Sequence, residues 1–268
     1  MTNFEIIQSQ PDIPENYKYY WGYQYRLGEE VIVPYLSGLN AFKQGYRVVE
    51  IGSAEGGVLA ALVQAGATNA LATDIAEHRL ELGDKITKKL NLAIEFKYHN
   101  IIEQEIPDNW KNTADLVILR DVIEHLDDTD IALKNISKFL KPGGFLYVTF
   151  PPYYSPYGGH QHIVMNTMGK LPFIHILPDF IFHNMIKSGR QGDVGEVKRL
   201  QKIRLTPKKF IKSALSQGYE IFHEDYYFIR PVFKMKFGLP AIKITPIAFL
   251  PGFKDIISLE ASYILRKK

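Results

Sequence analysis

Short apolar runs alternate with amphipathic stretches through the first 150 residues. Runs near 46–51, 69–73, 94–98, 114–119 and 145–150 have the length and β-branched content of buried strands. Between them, residues 56–65, 75–90 and 129–140 space their apolar positions as helices do. Gly66 predicts the stop of the first helix, Asp128-Thr129 the start of the last, and Lys141-Pro142-Gly143-Gly144 its end. Strand–helix alternation at this spacing predicts an α/β fold, a parallel sheet with helices on both faces. Residues 1–20 read as an irregular, aromatic lead-in and 23–40 as a helix, so 1–44 precede the sheet. Residues 152–205 interrupt the alternation. There Leu171 to Ile186 is apolar but broken by Pro172 and Pro178. Asp179 opens a short helix expected to bury Ile181, Phe182, Met185 and Ile186, and a polar helix follows at about 193–203. Thr206-Pro207 then starts a helix burying Phe210, Ile211, Ala214 and Leu215 until Gly218, and strands near 219–229 and 257–266 close the chain. Residues 1–268 thus read as one domain, with 152–205 inserted after strand five.

The first strand runs into a glycine turn, Val48-Val49-Glu50-Ile51-Gly52-Ser53-Ala54-Glu55-Gly56-Gly57. Glycine between strand and helix lets a ligand approach the backbone, because no Cβ intervenes. A phosphate-binding P-loop needs Gly-Lys-Ser/Thr, and this turn has no lysine. The dinucleotide turn G-x-G-x-x-G needs glycine where Ala54 stands. Glu50 and Glu55 flank the turn, and carboxylates are unfavourable beside a pyrophosphate but suit a cationic ligand. Asp74, at the tip of the next strand, is placed to accept hydrogen bonds from a ribose diol. On open parallel sheets ligands bind beyond the carboxyl ends of the strands, where Glu50, Asp74, Asn100 and Arg120 all fall.

These residues resemble a known family. Glu50-x-Gly52-x-x-x-Gly56 is similar to the first motif of class I S-adenosylmethionine-dependent methyltransferases. Tyr98-His99-Asn100-Ile101 resembles the family's adenine-contacting loop, where Asp is commoner than Asn100. Asp115 to Leu126 resembles its fourth strand and following motif, and Leu140 to Thr149 its fifth strand. The likeness covers about 45–151 well and 205–268 loosely. It implies a Rossmann-like, seven-stranded, mostly parallel sheet whose last two strands are an antiparallel pair. It also implies S-adenosyl-L-methionine as cofactor. The cofactor-binding set it implies is Glu50, Gly52, Ser53, Ala54, Gly56, Asp74, Ile75, Asn100, Ile101 and Arg120, with a leading helix covering the site.

Methyl transfer from a sulfonium is an in-line displacement, so the protein must orient two partners and exclude water. His160, between Gly158-Gly159 and the insertion, is the candidate general base; a loop histidine bonded to backbone is the alternative. Asp121, Tyr153, Tyr154, Tyr157 and His162 are candidate acceptor-binding residues, with loop packing and a local ion pair as the plainer alternatives. His160 and His162 alone do not make a metal site, because alternate residues share no helical face and no further ligand set is identifiable; no metal is expected. Glu124 and His125 match a family motif read as structural.

Composition narrows the partners. There is no cysteine, which removes disulfide and thiolate chemistry. Residues 1–10 show no basic-then-apolar leader, and no run of about 20 apolar residues exists, so a cytoplasmic protein without a spanning helix is expected. The formal charge is +3, but 187–209 and 230–268 each hold eight Lys/Arg against two Asp/Glu. That asymmetry suits an anionic substrate or a membrane surface, with a solvated helix face as the plainer alternative. Residues 171–187 are accordingly a candidate peripheral membrane contact, with a buried cap helix as the alternative. No recognition module for nucleic acid is present, and oligomeric state is not readable. The leading expectation is a methyltransferase of a small, bulky or apolar acceptor, with O-methylation favoured. An NAD-type oxidoreductase and a non-catalytic membrane-associated binding protein are the alternatives.

Overall fold

The computed structural model describes residues 2–245 and 252–268. The chain begins with α1 (Asn3–Gln8) and α2 (Glu15–Leu27), which continues through a π-helical turn (Gly28–Ile32) into α3 (Val33–Gly38). The core then runs β1 (Arg47–Ile51), α4 (Gly57–Gln64), β2 (Thr68–Asp74), α5 (Glu77–Lys89), β3 (Ile94–Tyr98), β4 (Ala114–Arg120), α6 (Thr129–Phe139) and β5 (Leu140–Phe150). The insertion carries α7 (Asp179–Ile186) and α8 (Gln191–Ile203). After it come α9 (Pro207–Ser216), β6 (Tyr219–Ile229), α10 (Val232–Phe237), β7 (Ile242–Lys243), α11 (Phe253–Ile257) and β8 (Glu260–Lys267).

The strands form one sheet in the order β3-β2-β1-β4-β5-β8-β6-β7. The first five are parallel, and β8 runs antiparallel to both β5 and β6. The α/β expectation holds, with eight strands among the described residues rather than seven. The extra one is the two-residue β7, paired with the end of β6 and too short to show a period of two. Alternate residues of the central strands enter two separate cores. Val49, Ile51, Val117, Leu119 and Val148 pack with Leu133, Ile136 and Phe210 from α6 and α9. Val48, Leu116, Ile118 and Tyr147 pack with Leu27, Leu36, Leu59 and Leu62 from the opposite face.

The irregular lead-in expected over 1–20 is instead helical. Thr2 and Glu5 form a reciprocal capping box on α1, a Thr-x-x-Glu signal present in the sequence. The helix expected from 23 starts at Glu15, because Trp21 and Tyr25 stack and bury one turn earlier. Asp128 and Thr206 cap α6 and α9 as expected, accepting from Ile131 N–H at 2.9 Å and Lys209 N–H at 3.2 Å. Two apolar assignments fail: Leu215 and Ile181 are exposed, while Phe210, Ala214, Phe182 and Ile186 are buried. The insertion has a small core of its own, Val164, Ile174, Phe182, Ile186 and Val197.

The π turn sets how closely the leading helices approach α4. Val33 N–H bonds Gly28 C=O, a five-residue step just before Pro34, which has no N–H to donate. A Cβ on Gly28 would lie 2.6 Å from Ala61 Cβ and 3.2 Å from Val58 Cα. Gly28→Val is therefore expected to destabilise the protein by about 1–3 kcal/mol through overpacking. Urea unfolding measures this, and Ala61→Gly in the same chain should recover part of the loss. A neutral single variant would show that the helices can separate freely.

Candidate functional site

Chain order reverses between β1 and β4, and a cavity of ≈380 Å³ opens there, beyond the carboxyl ends of the strands. Its walls come from the β1 turn, the ends of β2 and β4, the loop after β3, and α2 above. Glu50, Gly52, Ser53, Ala54, Asp74, Ile75, Asn100, Ile101, Arg120 and Asp121 all line it. Gly56 does not, but its φ of +70° starts α4.

The turn is held by Asp74. Its Oδ2 accepts from Ala54 N–H at 2.8 Å and its Oδ1 from Ala76 N–H at 2.9 Å. The first bond fixes Ala54 at φ +52°, a conformation uncommon outside glycine. The glycines answer to packing as well as to a ligand. Gly52 has φ +69°, and a Cβ there would meet a Val122 methyl at 2.3 Å; one on Gly56 would meet the Phe96 ring at 3.0 Å. Both positions need glycine even without a ligand.

Glu50 is buried beneath the turn and accepts one hydrogen bond, from Leu59 N–H at 3.1 Å. Burial pushes its carboxyl up to about 8, against the opposing pull of Arg120. Arg120 donates to Gln24 Oε1 of α2 at 2.8 Å, so the helix above the cavity is tied to the end of β4. Glu55 is corrected: it is not free to meet a cation. Arg79 grips both its oxygens at 2.7 Å and lies 4.3 Å over the Tyr20 ring, closing that side of the wall. His99 also lines the cavity, edge-on to Trp110 at 5.5 Å. Asn100 turns its carbonyl oxygen to Ile102 N–H at 3.0 Å.

The acceptor-side expectations fare differently. Asp121 lines the cavity at φ +53°, but Arg230 Nη2 donates to both its oxygens, and Arg230 Nε donates to Glu260 Oε2 at 3.0 Å. Tyr153, Tyr154, Tyr157, His160 and His162 do not line the cavity. Tyr153 is buried, donating to His175 C=O at 3.2 Å, with Tyr154 edge-on to it; Tyr157 donates to Lys170 C=O at 3.1 Å. These tyrosines pack the start of the insertion. His162 is exposed, edge-on to Tyr157.

His160 sits behind His125, their ring centres 4.8 Å apart, and burial pushes its imidazole down to about 3. Its imidazole is thus a weak proton acceptor, and His160 lies outside the cavity wall. His125 lines the cavity instead, its Nδ1 2.7 Å from Glu196 Oε1 of α8. Burial works to lower the His125 imidazolium, and the Glu196 and Glu124 carboxylates outweigh it, so its pKa is raised. Arg199, also in the wall, donates to Asp127 at 2.7 and 3.0 Å. These two ion pairs seat α8 over the cavity. Arg79, Arg199, Glu196 and Arg230 were not foreseen, because each pairs with a residue 24 to 109 positions away.

The fold is of the Rossmann-like class, with its cavity at the strand-order reversal. Residues 49–146 match the family model described as a methyltransferase domain. A mitochondrial ubiquinone biosynthesis O-methyltransferase of Dictyostelium discoideum is 29% identical over 133 residues, covering 45% of this chain and 41% of that protein. Phosphoethanolamine N-methyltransferase 3 of Arabidopsis thaliana is 26% identical over 40% of this chain and 21% of its own length. The chain thus spans less than half the length of either relative. Among solved structures, a putative sarcosine dimethylglycine methyltransferase from Galdieria sulphuraria superposes with a TM-score of 0.58 at 14% identity, over 90% of this chain and 84% of that one. The [4+2]-cyclase SpnF superposes at 0.54 and 13% identity, over 88% and 79%. These two likenesses show the fold.

The raised Glu50 pKa has a thermodynamic consequence. The folded protein holds that proton more tightly than the unfolded chain, so the contribution is full below about pH 4.5 and is lost as pH rises through about 8. Glu50→Gln should therefore match the wild type in melting temperature near pH 5 and exceed it increasingly up to pH 8.5. A difference that does not change with pH would mean Glu50 is ionised in the fold.

Proposed function

We propose that this protein transfers the methyl group of S-adenosylmethionine to an oxygen of a small or medium-sized, bulky or apolar acceptor. The observation that carries the cofactor half is Glu50, a buried carboxyl with no cationic hydrogen-bond partner at the strand-order reversal. A ligand ammonium placed against it would restore its charge, whereas a pyrophosphate would meet repulsion. Asp74 keeps a lone pair on each oxygen for a ribose diol while holding the turn. Ser53, Ala54, Ile75 and Ile101 provide backbone and apolar contact, and Gly56 opens the helix behind them. Arg120 faces the methionine end, and Asn100 the adenine.

When bound, S-adenosylmethionine supplies an electrophilic methyl group on sulfur. The chain's part is to orient the acceptor in line and exclude water, which Tyr20 and Gln24 of α2 and Arg199 of α8 are placed to do. Oxygen is favoured because the relatives include ubiquinone biosynthesis O-methyltransferases; the phosphoethanolamine relative makes nitrogen the competing acceptor. The insertion, 152–205, acts as the acceptor cover. Its Met165, Met168, Leu171, Ile176 and Phe180 are exposed, which favours an apolar acceptor delivered from a membrane surface. No described helix is long and apolar enough to cross a membrane.

Asp74→Ala should weaken S-adenosylmethionine binding by about 1–3 kcal/mol through lost ribose hydrogen bonds, read by calorimetry. Unchanged affinity would place the ribose elsewhere. Phenolic and amine acceptors offered side by side with labelled cofactor decide the attacked atom; label appearing only on amines would overturn O-methylation.

A further inference from the structure

Three donor groups, Glu124, His125 and His160, converge beside the cavity. Glu124 is 3% exposed, and neither of its carboxylate oxygens has a hydrogen-bond partner. Its Oε1 lies 3.8 Å from His125 Nε2 and 3.8 Å from His160 Nε2. A buried carboxyl facing two imidazole nitrogens, with neither oxygen hydrogen-bonded, is an uncompensated arrangement. Glu196 adds a second, independent observation. It stands 2.7 Å from His125 Nδ1, on the far side of the ring. With that nitrogen as the N–H donor, the Nε2 lone pair points at Glu124 and His160. A carboxylate fixing the distal nitrogen is the usual support behind a metal-bound histidine.

We propose that Glu124, His125 and His160 bind a divalent transition-metal cation. Two imidazoles and one carboxylate suit Zn²⁺, Mn²⁺ or Fe²⁺ rather than an oxygen-seeking Ca²⁺ or Mg²⁺. The donor atoms all lie within 4.8 Å of one another. Zinc bonds of about 2.0–2.1 Å hold tetrahedral donors about 3.3 Å apart, so small side-chain rotations close the triangle. His160 joins by way of a left-handed residue at φ +52°, which turns its ring back toward the end of β4. No sequence spacing announces such a set, because Glu124 and His125 are adjacent and His160 comes 35 residues later, after β5. Such a site departs from the expectation of no metal.

The ion's remaining position would open toward the cavity, since His125 is in its wall. A role there rests on the methyltransferase reading. An acceptor hydroxyl bound to the ion would be oriented and made more acidic; its oxygen takes the methyl as the carbon–sulfur bond breaks, and its proton leaves to solvent.

The test uses the full chain, stripped with chelator and titrated with ZnCl₂ by calorimetry. One ion per chain is expected, and Co²⁺ should give the visible absorption of a four-coordinate site. Glu124→Gln and His160→Asn, the latter chosen because Asn tolerates positive φ, should weaken zinc binding by more than about 100-fold, and Glu196→Gln by about 10-fold. His78→Ala, an exposed histidine on α5, should bind as the wild type does. Thermal melts confirm that each variant folds, and S-adenosylmethionine binding is measured in parallel. Retained cofactor binding with no zinc binding tighter than about 1 mM, or zinc binding indifferent to the substitutions, overturns the metal site. Zinc binding without cofactor binding leaves the metal site standing and overturns the methyltransferase reading.

Discussion

The structure depends on β1 and β4 lying side by side with both faces covered. Val48, Val49, Leu116, Val117, Ile118 and Leu119 are all fully buried, on opposite sides of the sheet. Strands buried on both faces have little room for polar side chains along their length, so chemistry is pushed to their ends. Glu50 is the exception inside β1, and its carboxyl is forced toward neutrality for that reason. Residues just past the ends then take conformations that ordinary loops avoid, Ala54 and Asp121 both at positive φ. Each is fixed by a backbone bond, Ala54 to Asp74 and Asp121 N–H to Thr149 C=O at 2.9 Å. The strain is therefore a consequence of the sheet, held in place by it.

From that corner a chain of buried charge runs outward. Arg120 reaches α2 through Gln24, and Asp121 reaches the end of β6 through Arg230, which in turn holds Glu260 at the start of β8. His125 and Asp127 reach α8 through Glu196 and Arg199. The leading helix, the antiparallel strands and the insertion all meet at one strand end. Removing one partner of such a pair leaves the other charge buried, so the pieces are coupled more tightly than exposed ion pairs would couple them.

What the sequence showed and hid follows from the range of the interactions. Glu50, Asp74 and the caps at Asp128 and Thr206 were legible because strand ends, glycine turns and cap residues are local signals. The capping box at Thr2 and Glu5 was equally local and was obscured by the prolines and tyrosines around it. Glu55 was misread because its partner, Arg79, lies a full strand away. Tyr153, Tyr154 and Tyr157 look like a ligand wall from composition alone; only the path of the insertion shows that their hydroxyls and rings meet each other, His175 and Lys170. His160 stands out in the sequence as a base candidate after β5, but its neighbours, not its position in the chain, decide what it can do.

The two halves of the cavity carry different kinds of warrant. The cofactor half is built from β1, β2 and β4, inside the segment that matches the methyltransferase model, 49–146. The other half has His125, Asp121 and Arg199 in its wall, with Glu196 and Arg230 paired behind them, and Arg199, Glu196 and Arg230 lie beyond that segment. The same fold serves proteins described as methyltransferases and one described as a cyclase, so the shared half cannot fix the reaction partner. Whatever distinguishes this protein must then reside in how α8 and the β6 end complete the corner at Asp121 and His125. That corner also holds Glu124, whose buried carboxyl has neither oxygen hydrogen-bonded.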